Sequence, residues 1–203
     1  MQTLRASSTS ETVKDMKLSI NAEISLGGPH NYITWFDVCA YERTEAEAIA
    51  TARVALVHVG EILDAEGELW PALRDTRLES LHDVYFAQEW YRDEFADGAG
   101  IDLMVIDDVT IDATRQDRNL DLAIVRRLCD TIGSGSQIAV MAYRNALEAT
   151  VWARLGFLSS TPGRPSGWLH LKLGQRNARV VSSGPGTFEV LPTTIRWHRP
   201  SEN

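Results

Sequence analysis

The chain has 203 residues, of which 44% are hydrophobic and 24% are charged, and its formal net charge is −8. This length and composition allow one main hydrophobic core and exclude bulk disorder. The acidic balance, with a pI near 5.1, argues against a broad nucleic-acid-binding surface. We therefore expect no nucleic-acid partner.

No apolar run approaches the roughly 20 residues that a membrane-spanning helix needs, and the N-terminus lacks the apolar stretch of a signal peptide. These features predict a cytoplasmic protein with no membrane partner. Cys39 and Cys129 lie far apart in apolar segments, which predicts buried thiols and neither a disulfide nor a zinc site. The histidines lack the spacing of a metal-binding pair, so we expect no metal site.

The first half of the chain predicts antiparallel strands followed by helices. Residues 1–15 are rich in Ser, Thr and charge and are expected to be mobile. Three segments rich in β-branched and aromatic residues, at 17–26, 32–41 and 48–59, predict an antiparallel meander. Between residues 68 and 96, apolar residues recur at roughly helical intervals, which predicts one or two helices that cover a face of the sheet.

The second half predicts a strand–helix–strand–helix unit. Its segments are 101–112, 119–132, 137–143 and 145–156, and they imply parallel strands joined by a right-handed crossover. A hairpin around a Pro/Gly-rich loop is predicted for residues 157–173.

The domain organisation follows from these segments. We predict one main α/β domain over residues 16–174, preceded by the mobile segment 1–15. Residues 175–203 form a C-terminal extension whose pattern fits another hairpin. Edge strands of such a hairpin could pair across a homodimer.

The order of these elements resembles the fold of the GNAT-type N-acetyltransferases, an α/β fold with a mixed sheet. One segment makes the resemblance more specific. Asn145, the aromatic Trp152 and the ending Leu155-Gly156-Phe157 are similar to the stretch that closes the acyl-CoA site in that family. From the residues alone, Asn145 can cap a helix and Gly156 can end it, so the segment also has a purely structural interpretation.

The resemblance implies that the long strand exposes its backbone to the pantetheine arm of acetyl-CoA or another acyl-CoA. It also implies that the next loop holds the pyrophosphate in the pattern Arg or Gln, two residues, Gly, one residue, Gly or Ala. The pattern can be aligned from Arg115, Gln116 or Arg118. None of these alignments places a glycine in the loop, and none supplies both of the small residues. An ordinary helix capped by Asp117 or Asn119 would explain the same charges. The residues expected to bind the donor are Val109, Ile111, Arg115, Gln116, Arg118, Asn119 and Asn145.

Acyl transfer to an amine needs a base for the acceptor and a proton for the leaving thiolate. In the resembled family a strand carboxylate commonly serves as the base, which makes Asp107 and Asp108 the candidates here. Because they are adjacent on a strand, we expect them to point to opposite faces. The family's tyrosine position holds Trp152, which cannot release a proton, so Tyr143 is the candidate donor.

The sequence therefore predicts an N-acyltransferase that uses acyl-CoA and an unidentified amine, either a small molecule or a protein. The acidic balance weakly favours a cationic amine. The missing glycines and tyrosine favour an alternative, a catalytically silent module that keeps the fold for binding or assembly. A further alternative is an acyltransferase whose acyl donor is attached to a carrier protein.

Overall fold

A computed structural model of the chain describes residues 16–42, 46–160, 167–174 and 177–192. The segment 1–15, which was expected to be mobile, lies outside the described residues. Part of the Pro/Gly-rich loop expected within residues 157–173 also lies outside them.

The described strands are β1 (Met16–Ile24), β2 (Ile33–Glu42), β3 (Ala50–Val57), β4 (Phe86–Ala87), β5 (Trp90–Tyr91), β6 (Asp102–Ile111), β7 (Ser136–Ala142), β8 (Leu158–Ser159), β9 (Trp168–Lys172), β10 (Arg179–Gly184) and β11 (Thr187–Leu191). The described α-helices are α1 (Val59–Asp64), α2 (Leu69–Leu73), α3 (Ser80–Tyr85), α4 (Leu120–Thr131) and α5 (Ala146–Ala153). Short 3-10 turns occupy Pro29–Tyr32, Asp93–Phe95, Ala113–Arg118 and Ile132–Gly135.

A mixed sheet with the strand order β1-β2-β3-β6-β7-β9-β8 forms the centre of the fold. Strands β1, β2 and β3 pair antiparallel, which confirms the predicted meander. Strands β6 and β7 pair in parallel, as the strand–helix–strand pattern predicted. The protein is therefore a mixed α/β protein with both parallel and antiparallel pairing in one sheet.

The region between β3 and β6 differs from its prediction in detail. The third strand ends at Val57, and Val59 begins α1, so the predicted strand 48–59 was too long. Two short helices and the β4–β5 pair occupy the segment predicted as one or two helices. Helix α2 stops early because Arg74 is extended and Asp75 adopts a left-handed backbone, with φ of 60°.

Two hydrophobic clusters cover the two faces of the sheet. One, here called the α4 face, joins Met104 and Ile106 of β6 to α4 and α5. The other, here called the α1–α3 face, joins Leu103 and Val105 of β6 to α1, α2 and α3. Residues 103–106 of β6 are buried on both faces of the sheet, which fits their apolar sequence.

Helix α5 begins where the sequence predicted, after Asn145, but it ends at Ala153, three residues before Gly156. The Asn145 side chain accepts a hydrogen bond from the amide of Glu148 at 3.0 Å, and the Glu148 carboxylate accepts one from the amide of Arg144 at 2.8 Å. This reciprocal pattern satisfies amide groups at the start of the helix. Gly156 has φ of 100°, a conformation that favours glycine, and Phe157 then enters the core.

The C-terminal segment forms the antiparallel pair β10–β11, which packs against α4. Cys129 on α4 is buried, and burial raises the pKa of its thiol to about 12. Cys39 on β2 is only half-buried, so the prediction of buried thiols is confirmed for Cys129 and not fully for Cys39. In the described part of the chain, no helix has the length and apolar character needed to cross a membrane.

Candidate functional site

The sheet opens where β6 and β7 diverge. The two strands pair only from Asp102 to Ile106 on β6, and their last pair is Ile106 with Met141. Strand β6 continues through Ile111 while remaining paired with β3 on its other side. Alternate residues of an inner strand direct their amide groups to opposite neighbours, so part of the backbone of residues 107–111 faces the gap without a strand partner among the described residues.

A β-bulge lies at the point of divergence. Arg53 of β3 pairs with Asp108, and the next residue, Val54, pairs with Ile106, so Asp107 is an extra residue in β6. An extra residue reverses the alternation of side chains beyond it. Ile106 and Val109 both pack on the α4 face, although they are three positions apart.

The bulge places Asp107 and Asp108 on the same side of the sheet, the α1–α3 face. The expectation that adjacent aspartates point to opposite faces was therefore wrong, because strict alternation holds only in a regular strand. Asp107 contacts Arg77, and Asp108 accepts a hydrogen bond from the hydroxyl of Thr110 at 3.0 Å. Both carboxylates thus lie at the mouth of the gap.

Asp107 is the more enclosed of the two aspartates. Its side chain is 18% exposed and accepts a hydrogen bond from the Arg77 guanidinium at 2.5 Å. The Arg77 guanidinium also lies 5.8 Å from the centroid of the Trp35 ring, and Arg53 lies 4.7 Å from it. The contact with Trp35 helps to hold Arg77 beside the Asp107 carboxylate, while Arg53 lies near Asp37.

Asp108 is the more accessible aspartate, with 50% of its side chain exposed. Arg144, which follows β7, approaches its carboxylate to 3.8 Å from the far side of the gap. The Arg144 side chain is 84% exposed, so solvent weakens this ion pair. The carboxylate of Asp108 is therefore only loosely engaged.

The residues that follow β7 form the other wall of the gap. Tyr143 is half-buried against the α4 face, and its amide donates to the carbonyl of Gly167 at 3.0 Å. Asn145 is exposed and uses its side-chain oxygen to cap α5. Trp152 of α5 is buried, and its indole nitrogen has no hydrogen-bond partner among the described residues.

A shallow depression of about 350 Å³ adjoins Arg77 on the α1–α3 face. Its other lining residues are Trp70, Thr76, Glu79, Ser80 and Asp83. Two carboxylates and an aromatic ring make this a surface that suits a cation.

The loop predicted to hold a pyrophosphate is a 3-10 turn that precedes α4. Asp112 begins the turn and accepts hydrogen bonds from the hydroxyl and the amide of Thr114, at 2.6 and 2.8 Å, and these bonds lower the pKa of its carboxyl. Gln116 is exposed, and Arg118 lies beside Gly186 at the tip of the β10–β11 hairpin. The side chains of Val109 and Ile111 pack on the α4 face, so only their backbone can face the gap.

Arg115, the first cation of this loop, contacts the sheet. Its guanidinium donates to the carboxylate of Glu42 at the end of β2. Glu42 is 1% exposed and Arg115 is 17% exposed. A buried carboxylate needs such a partner, so the pair fixes the loop against the sheet.

Asn119 gives the loop its shape. It adopts the left-handed conformation with φ of 52°, which favours glycine and which Asn tolerates better than most residues. Its side chain donates to the carbonyl of Phe188 at 2.6 Å and accepts from Arg154 at 2.8 Å. Asn119 is the residue before α4 and does not cap it with its side chain.

Asp121 occupies the first turn of α4. Its carboxylate accepts a hydrogen bond from the amide of Leu122 at 2.8 Å, and burial raises the pKa of this carboxyl. The Asp121 carboxylate therefore occupies the amide of Leu122 at the start of α4, which a bound anion would otherwise contact.

A second polar cluster lies at the opposite end of β6. The His58 ring lies 2.9 Å from the hydroxyl of Thr34 and 3.6 Å from the carboxylate of Asp102. The neighbouring Asp102 carboxylate raises the pKa of His58, and burial opposes this shift. Thr34 is buried in β2, so the cluster has the form of a structural network.

The sequence singled out Asp107, Asp108, Tyr143 and Asn145; the first two lie on β6 just past its last pair with β7, and the other two follow β7. The contact that the described residues make across the gap is the one between Arg144 and Asp108. The sequence missed Arg77, Trp35 and Glu42, because each reaches the site through tertiary contacts that no local pattern records. No three His, Cys, Asp or Glu side chains come together as metal ligands within residues 16–42, 46–160, 167–174 and 177–192.

No protein-family model matches the chain, and no curated protein or solved structure matches it either. A function must therefore be inferred from the geometry of the gap and its side chains.

Proposed function

We propose that the protein is an N-acyltransferase with a GNAT-like arrangement, which transfers an acetyl or related acyl group from acyl-CoA to an amine. The observation that carries the proposal is the gap between β6 and β7, with two carboxylates placed at its mouth by the bulge at Asp107. Bulges are frequent next to active sites, where they redirect side chains.

The gap suits the pantetheine arm of the donor. That arm is an extended chain with amide groups, and it can pair with the backbone of residues 107–111 as a strand would. Backbone N–H groups in the same gap that have no strand partner in the described part of the chain can stabilise the negative charge that develops on the thioester oxygen. The reacting carbonyl would then lie near Asp108.

The acceptor would approach from the α1–α3 face, beside Arg77 and the depression that contains Glu79 and Asp83. The Asp108 carboxylate takes a proton from the ammonium, directly or through water. The amine nitrogen then forms a bond to the carbonyl carbon, and the carbon–sulfur bond breaks. Tyr143 gives its hydroxyl proton to the leaving thiolate, and the second proton that the nitrogen loses on forming the amide returns to the Tyr143 oxygen through solvent. Asp107, already paired with Arg77, holds the connection between α2 and α3 beside the gap.

A second candidate is a catalytically silent module of the same fold. The specific observations that favour it are the pairing of Arg115 with Glu42 and the carboxylate of Asp121 at the helix start, since both weaken the loop as a diphosphate site. The same observations fit a donor attached to a carrier protein, because a phosphopantetheine arm has one phosphate and no nucleotide.

Calorimetric titration separates these candidates. The full-length protein is titrated with acetyl-CoA, longer acyl-CoAs, free CoA and S-acetylpantetheine. Saturable acetyl-CoA binding that weakens in Arg118→Ala supports the CoA-dependent enzyme. Equal binding of S-acetylpantetheine and acetyl-CoA favours a carrier-protein donor, while the absence of binding to every thioester favours the silent module.

A further inference from the structure

Strand β1 is an open edge of the central sheet. Among the described residues it pairs with β2 alone, along its whole length from Met16 to Ile24. Its second half is exposed and still carries apolar side chains, with Ile20 42% and Ile24 61% exposed. A long edge strand with exposed apolar side chains is a surface on which another strand can pair.

A groove of about 560 Å³ lies beside the first half of β1 on the α4 face. It is lined by Met16, Leu18 and Ile20 of β1, by α4, and by Val180 and Phe188 of the hairpin. Residues 16–20 of β1 thus lie beside the groove, and residues 21–24 extend beyond it. In an antiparallel pair of two copies, the extended half of one strand would lie next to the groove half of the other.

The sequence of β1, MKLSINAEI, is also complementary to itself. If two copies pair antiparallel over the whole strand, Ile20 lies opposite Ile20 at the two-fold axis. In that register Lys17 lies opposite Glu23, and Met16 lies opposite Ile24. Opposite charges then face each other twice on the α1–α3 side, and apolar side chains meet on the α4 side.

We propose that β1 binds β1 of a second copy of this chain, antiparallel and centred on Ile20, so that two seven-stranded sheets become one. The exposed Ile24 of each copy then lies beside Met16 at the groove of the other. A two-fold interface of this kind is closed, because both copies use the same surface. It also leaves neither β1 edge open to further pairing.

The register is tested by reversing charge. Sedimentation velocity of the full chain should show a particle of two 22.6 kDa chains. Lys17→Glu places like charges opposite each other twice and should weaken the dimer by about tenfold. The double variant Lys17→Glu/Glu23→Lys restores both pairs and should restore the dimer. Glu94→Lys is the matched control, because Glu94 is exposed and adjoins Phe95, which contacts His170 of β9 on the other side of the sheet.

Cross-linking tests the two-fold axis directly. Ile20→Cys places two thiols on directly opposite residues, within the Cα separation that a disulfide requires. Ile24→Cys is the control, since its two copies would lie about 27 Å apart on the paired strands. Oxidation should cross-link the first variant and leave the second monomeric on a denaturing gel. A monomer at all concentrations, or a dimer indifferent to charge reversal and not cross-linked through Ile20→Cys, overturns the proposal.

Discussion

The guanidinium of Arg115 donates to the carboxylate of Glu42, and this pair joins the loop before α4 to the end of β2. Glu42 is almost fully buried. A residue expected from the sequence to bind an anionic donor therefore has a structural partner within the chain. Substitution of Arg115 should therefore be tested first for its effect on the free energy of unfolding.

Arg115→Ala should lower the free energy of unfolding by about 3 kcal/mol, because it leaves the buried Glu42 carboxylate without this cation. Urea denaturation measures the loss. Gln116→Ala, in the same loop and exposed, is the control and should change stability by less than about 0.5 kcal/mol. Unchanged stability in Arg115→Ala, together with weaker acetyl-CoA binding, would contradict the structural role.

Asp108→Asn should lower kcat by about 100-fold or more, because the amide cannot take the proton of the acceptor ammonium. Steady-state acyl transfer from acetyl-CoA to an amine measures the effect, and calorimetry should show acetyl-CoA affinity within about twofold of the wild type. Asp64→Asn, an exposed aspartate on α1, is the matched control. A parallel loss of donor affinity would show that Asp108 supports binding and not proton transfer.

Asp121→Ala should strengthen acetyl-CoA binding by several-fold, roughly a factor of five. The substitution removes a negative charge from the first turn of α4 and frees the amide of Leu122 for the donor phosphate. Asp117→Ala removes an exposed charge from the same loop and should have a smaller effect. An affinity that is unchanged or lower in Asp121→Ala would place the donor phosphates elsewhere. S-acetylpantetheine, which lacks the diphosphate, should bind both variants equally.

His58 should make stability depend on pH. Its pKa is raised in the folded protein by the neighbouring Asp102 carboxylate, so its stabilising contribution is complete below the unfolded value of about 6.5. The contribution is lost as the pH rises through the higher, folded value. The stability difference between wild type and Asp102→Asn should therefore be larger at about pH 5.5 than at about pH 8.5.

Chemical denaturation at several pH values measures this difference. Asp64→Asn, an exposed aspartate on α1, is the control and should leave the pH dependence unchanged. A wild-type advantage over Asp102→Asn that grows with pH would have the wrong sign for a raised histidine pKa.

Local patterns predicted much of the secondary structure. The meander followed from β-branched and aromatic residues, and α5 followed from Asn145 and Gly156, because capping depends on residues that are close in sequence. The short helices between β3 and β6 were harder to predict. Their boundaries depend on single backbone conformations, such as the left-handed one at Asp75.

The candidate site was less predictable. The residues around Asp107 form no local pattern that predicts a bulge, because the bulge depends on how β6 pairs with β3. The left-handed conformation of Asn119 likewise depends on Phe188 and Arg154, which are distant in sequence. The hairpin pattern at the C-terminus was visible in the sequence, but its packing on α4 was not.

The contact between Asn119 and Phe188 spans 69 positions of the chain. During synthesis, the loop before α4 cannot acquire its complete set of contacts until the ribosome has released Phe188. The central sheet can form earlier, because its last strand ends at Lys172. The geometry of this loop is thus among the last features of the protein to be completed, and it depends on residues that a truncation after the sheet would remove.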